Sequence, residues 1–95
     1  MLSRRWVHVI GDGLVCEGPC LVHSITLDPD AGADETTIYD GRDTVSGKKF
    51  MSVVTSDKVT RHIDFEPGVP FDRGIFVDGS DGAVETTVVF TPLDA

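Results

Sequence analysis

The sequence is short of positive charge. Eight Lys and Arg stand against sixteen Asp and Glu, for a formal net charge of -8. Phosphate backbones and anionic headgroups are gripped by clustered Lys and Arg, so this balance argues against nucleic acid and against membrane surfaces as partners. It suits solubility, a basic partner or cations. Long hydrophobic runs are missing as well. Nothing approaches the roughly 20 consecutive apolar residues of a membrane span. After Arg4 and Arg5, the segment Trp6-Val7-His8-Val9-Ile10 is interrupted by its histidine and closed by Gly11-Asp12-Gly13, so it does not form the apolar region of a secretory signal. The expected place of synthesis is a cytoplasm, with residence there or in a larger particle. Two cysteines, Cys16 and Cys20, are too few for a disulfide framework. Helical periodicity is the last absence. No Gly- and Pro-free window of about 11 residues places apolar side chains at i, i+3, i+4 and i+7, which excludes a substantial helix and any βαβ unit.

What is present reads as strand. The 95 residues are enough for one core and too few for two, with 40% apolar and 25% charged residues as in ordinary globular domains. A core of this size leaves little room for a large buried cofactor. Segments rich in Val, Ile, Thr and Phe predict strands near 4–10, 13–16, 20–28, 35–40, 48–55, 58–65, 74–78 and 83–91. Turn signals separate them at Gly11-Asp12-Gly13, Glu17-Gly18-Pro19, Asp28 to Gly32, Asp40 to Asp43, Pro67-Gly68-Val69-Pro70 and Asp78 to Gly82. Alternation assigns the faces. Leu21, His23, Ile25 and Leu27 are expected inward, as are Val84, Thr86, Val88 and Phe90, and Val59, Ile63 and Phe65. Arg61 breaks the last pattern, which fits either an edge strand or a snorkelling side-chain stem. Seven to eight short antiparallel strands point to a single all-β sandwich spanning residues 1–95, with a jelly roll as the finer expectation and fraying at Met1 to Ser3 and at Asp94-Ala95.

Candidate chemistry is sparse, and no catalytic residue or cofactor site is assigned. Cys16, Cys20 and the serines at 24, 46, 52, 56 and 80 are possible nucleophiles with His8, His23 and His62 as bases, yet no nucleophile elbow surrounds any of them. His23 is expected as a hydrogen-bonded core histidine and His62 as solvated. Cys16 and Cys20 with His8 and His23 supply four zinc donors in number, without a second knuckle to hold them; buried free thiols are the simpler reading, ahead of a disulfide. The densest oxygen-ligand cluster is the loop with Asp28, Asp30, Asp34 and Glu35, a weak candidate cation site lacking the EF-hand spacing. Asp72, Asp78 and Asp81 form a weaker one. Most aromatics fit the core, while Trp6 and Phe76 are candidate interface residues.

One resemblance spans roughly residues 16–91. Gly18-Pro19-Cys20-Leu21-Val22-His23-Ser24-Ile25, then Thr37-Ile38-Tyr39-Asp40-Gly41 with Ser46-Gly47-Lys48, then Phe65 to Val77 with Gly68, Phe71, Gly74, Ile75 and Val77 in a G-x-x-F-x-x-G-I-x-V pattern, and finally Thr86-Thr87-Val88-Val89-Phe90 are together similar to small β-sandwich proteins of tailed bacteriophage particles. These are turn and core signatures without catalytic content. The resemblance implies a non-enzymatic virion component, made in the host cytoplasm: a head decoration or cement protein, a head fibre, or a tail accessory. It also implies the major capsid protein or another virion protein as partner, and packing between copies as a homo-oligomer, with a trimer expected. The alternative from the residues themselves is a cation-dependent or carbohydrate-binding module using the Asp28 to Glu35 loop.

Overall fold

A computed structural model of the chain describes residues 3–29, 34–55, 59–79 and 84–93. The described residues form eight strands and no helix: β1 (Arg5–Ile10), β2 (Gly13–Cys16), β3 (Cys20–Pro29), β4 (Asp34–Asp40), β5 (Lys48–Thr55), β6 (Arg61–Phe71), β7 (Ile75–Gly79) and β8 (Val84–Pro92). They make two four-stranded antiparallel sheets, ordered β1-β8-β3-β6 and β2-β7-β4-β5. The fold is therefore a β-sandwich. Its connectivity has a simple logic. The first strand pairs with the last, the second with the seventh, the third with the sixth and the fourth with the fifth. The chain thus behaves as one long hairpin, closed at the β4–β5 connection and rolled up so that its two arms fall alternately into the two sheets.

The core lies between the sheets. Cys20, Val22, Ile25 and Leu27 from β3 meet Ile38 of β4, Val53 of β5, Ile75 and Val77 of β7 and Val84, Val88 and Phe90 of β8. Strict alternation produces this on β8, where Val84, Thr86, Val88 and Phe90 are buried as expected. On β3 the expectation fails at its first half. Cys20 and Val22 face the core and Leu21 does not, because the register shifts between Val22 and Ser24, while His23 is buried and hydrogen-bonded as expected. A single slipped residue moves every side chain on one side of it to the opposite face.

The same irregularity explains the other departure. Ser24 opposes Asp64 and Val22 opposes Val69, so β3 contributes only His23 where β6 contributes Phe65, Glu66, Pro67 and Gly68. The Pro67 to Pro70 segment, expected as a turn between strands, lies instead within an eleven-residue strand, Pro67 and Gly68 in its bulge and Val69 and Pro70 back in register with Val22 and Leu21. Gly68 sits there at φ +139°, a conformation open to glycine and costly for other residues. β6 lies at the edge of its sheet, one of the two readings that Arg61 left open.

Phe50 closes one side of the sandwich. The β4–β5 register slips between Ile38 and Tyr39, leaving Phe50 without an opposite residue. Its ring packs on Phe65 at 5.6 Å and on Phe71 at 4.9 Å. This places the edge strand of one sheet against the edge strand of the other through aromatic contact.

Candidate interaction surface

Strand directions divide the surface into two poles. The β1–β2, β3–β4, β5–β6 and β7–β8 connections fall at one end, and the β2–β3, β4–β5 and β6–β7 connections at the other. Carboxylates collect at the first pole. Asp28 and Glu85 oppose each other across β3 and β8, and the Asp12 carboxyl neighbours that of Asp78. The Asp78 carboxyl is pushed above the usual range by desolvation, then by the neighbouring Asp12. Of the acidic loop, Asp28 accepts from Thr60 Oγ1 at 3.1 Å and Glu35 is exposed on β4. Asp34 begins that strand, with its side chain outside the described residues, as are Asp30 and Asp81. Among the described residues, no three of His, Cys, Asp and Glu converge as metal ligands.

The opposite pole mixes charges. A cleft of about 350 Å³ opens there between Glu17-Gly18-Pro19, Arg42 and Asp72-Arg73. Both guanidiniums are anchored on main-chain oxygens, Arg42 Nε on Glu17 O at 3.0 Å and a terminal nitrogen of Arg73 on Ser46 O at 3.0 Å. Two further carboxylates serve the backbone. Asp40 accepts from the N–H groups of Asp72 and Arg73. Asp43 accepts from Ser46 N and Oγ and from Val45 N, which hold its carboxyl below the usual range. Asp72 thus shapes a loop at this pole and does not join Asp78.

Among the described residues, the side-chain hydrogen bonds of His8, His23 and His62 go to threonines and to Glu85. His23 Nε2 lies 2.7 Å from Thr91 Oγ1, and its Nδ1 lies 3.1 Å from Glu66 Oε1 without satisfying hydrogen-bond geometry. Hydroxyl, imidazole and carboxylate follow one another as in a triad, but Thr91 and His23 are both buried, so substrate could not reach the oxygen. Glu66 is itself bridged to Arg4 at 2.7 Å. His8 and His62 lie on the exposed face of the β1-β8-β3-β6 sheet, bonded to Thr87 and Thr26, while His8 Nε2 also reaches Glu85 at 2.7 Å. These two imidazoles end a polar row, His8–Thr87–Thr26–His62, running across all four strands in register. Cys16 and Cys20 are free thiols. Burial, followed by the adjacent Cys16, pushes the Cys20 thiol up to about 12, far from the range of a nucleophilic thiolate. Ser56 and Ser80 lie outside the described residues.

The two interface candidates sit on opposite outer faces. Trp6 projects from β1 on one sheet and is 70% exposed. Phe76 projects from β7 on the other, opposed by Leu14 of β2 and Tyr39 of β4. It is half-buried. The neighbour that sequence reasoning missed is Ile10, 68% exposed at the far end of β1. Its signal was the alternation Trp6, His8, Ile10, which puts both apolar residues on one face.

Edges complete the geometry. The β6 edge is broken by the bulge and by Pro67 and Pro70, both lacking an N–H. The β5 edge carries Lys48, Lys49 and the Phe50 bulge. The β2 edge is four residues long with a register shift. β1 alone runs in unbroken register, from Arg5 opposite Phe90 to Ile10 opposite Glu85.

No protein-family model matches the chain, and no curated protein is significantly similar to it in sequence.

Proposed function

We propose that this protein is a non-enzymatic structural component of a tailed-phage virion, bound to the capsid surface or to a neighbouring virion protein and present there as a homo-oligomer. The observation that carries the reading is Trp6, a tryptophan 70% exposed on a regular edge strand. Large exposed aromatics beside an uncapped edge are what a docking surface supplies. The rolled-hairpin connectivity supports it too: we read the strand orders as a jelly roll, an architecture used by viral capsid domains. The resemblance over residues 16–91 points the same way. Affinity would come from buried apolar contact at Trp6 and Phe76, with charge setting the register.

The test is co-sedimentation of the purified protein with capsids assembled without it, alongside its molar mass in solution. Saturable binding lost in Trp6→Ala or Phe76→Ala supports the reading. A monomer that fails to sediment with such particles overturns it.

A second reading, a cation-dependent or carbohydrate-binding module, is favoured by the Asp12–Asp78 contact, where a bound cation would relieve two crowded carboxyls. Calcium at about 100 times its Kd would then add about 2.7 kcal/mol to stability. An unchanged melting temperature in calcium, with no binding to a glycan array, removes this alternative.

A further inference from the structure

β1 combines three features that no other described edge shares. Its ladder to β8 is regular over six residues. It carries two large apolar side chains exposed on its sheet's outer face, Trp6 at 70% and Ile10 at 68%. Its two ends also bear opposite charge: Arg4 and Arg5 precede Trp6, and Asp12 follows Ile10 and Gly11. Arg4 is bridged to Glu66, whereas Arg5 holds no ion pair among the described residues. Asp12 is crowded by Asp78.

We propose that β1 pairs antiparallel with β1 of a second copy of this chain, about a twofold axis, joining two four-stranded sheets into one of eight strands. Antiparallel geometry restricts the register. Opposed residues must both turn their main-chain groups toward each other or both away, so a strand that pairs with itself opposes residues of the same parity. The axis therefore passes between two copies of a single residue. With the axis at His8, Trp6 opposes Ile10 of the second copy, and the reciprocal pair forms on the other side. Val7 opposes Val9, and Arg5 opposes Gly11 and comes beside Asp12. Both exposed apolar residues are covered, and both charged ends meet their opposites. An axis at Val7 sets Trp6 against His8 and leaves Ile10 uncovered; an axis at Trp6 leaves Ile10 without any partner. Self-complementarity in shape and charge at one register is why the occupant is a second copy. The proposal stands apart from the virion reading, since a free twofold dimer satisfies it.

The first test is sedimentation equilibrium of the full chain from micromolar to millimolar concentration. The expected result is a monomer–dimer equilibrium, its dissociation constant raised about tenfold or more by Trp6→Lys, with an unchanged far-ultraviolet spectrum because the side chain is exposed. Register is read separately by cysteine cross-linking under mild oxidant on non-reducing gels, with the unmodified chain as control for Cys16 and Cys20. His8→Cys should give a covalent dimer, because directly opposed Cα atoms lie about 4.5–5.5 Å apart, within disulfide range. Ile10→Cys should not, because its copies stand four residues out of register, about 13 Å apart. A monomer or a threefold oligomer at every concentration, or equal cross-linking of the two variants, overturns the proposal.

Discussion

His23 Nε2 and Thr91 Oγ1 lie 2.7 Å apart beneath the Glu66–Gly68 bulge, at the one place where a single residue of β3 faces four of β6. The imidazole fills the space under the bulge: a Cβ added to Gly68 would lie 3.4 Å from its Cε1. The histidine is thus a structural prop joining three strands of one sheet.

The first prediction concerns that prop. His23→Ala removes the partner of a buried hydroxyl and opens a void beneath the bulge, and should cost about 2–4 kcal/mol. Urea unfolding measures it. A loss below about 0.5 kcal/mol would show that the bulge holds its shape without the ring.

Two core hydroxyls should respond in the opposite direction. Thr36 Oγ1 and Thr86 Oγ1 are fully buried and without a hydrogen-bond partner among the described residues. Thr36→Val and Thr86→Val remove an unsatisfied oxygen while keeping the branched shape, and each should stabilise by about 1 kcal/mol. In a domain of this size that is a melting temperature about 4–8 °C higher. Destabilisation by either variant would mean the hydroxyl has a partner.

Glycine positions offer a paired comparison. Gly74 has φ +149°, and a Cβ there would stand 2.4 Å from Cys16 O. Gly74→Ala should therefore cost several kcal/mol, about 3 or more. Gly18 has nothing within 4 Å of such a Cβ, and Gly18→Ala should change stability by less than about 1 kcal/mol. Equal melting temperatures for the two variants would contradict the described β6–β7 connection.

Thiol titration gives a pH dependence with a definite sign. Cys20 is raised from 9.0 to about 12 on folding, so above pH 9 the unfolded chain loses a proton that the folded chain keeps. Stability from this group is complete below pH 9 and falls as pH rises toward 12. Cys20→Ser should flatten that alkaline limb. In the native protein at pH 8, Cys20 should resist iodoacetamide and become labelled only in denaturant; rapid native labelling at Cys20 would refute its burial.

Much of the architecture was legible in local pattern. Alternation on β8, the Gly- and Pro-rich turns and the absence of helical spacing specified an all-β sandwich of seven to eight strands, because a half-buried strand imposes a period of two on its own residues. Arg61 left an edge strand and a snorkelling stem as alternatives, and the strand order decides for the edge. The bulges were not. Whether Pro67-Gly68-Val69-Pro70 turns the chain or lies within a strand depends on whether β3 continues alongside it, and the slip there decided that Cys20 and Val22 face the core and Leu21 does not.

The candidate surface divides the same way. Composition by itself determined that the chain is acidic, since charge needs no partner to be counted, and the strand pattern set Trp6 and Phe76 apart from the other aromatics. Only the tertiary structure decided that Phe76 is sheltered by Leu14 and Tyr39, that Ile10 joins Trp6 on an unbroken edge, and that the Thr91–His23–Glu66 line is buried. Each of these depends on which strand lies beside which, and that follows from how the two arms of the rolled hairpin are shared between the sheets, a long-range choice that no local window of residues encodes.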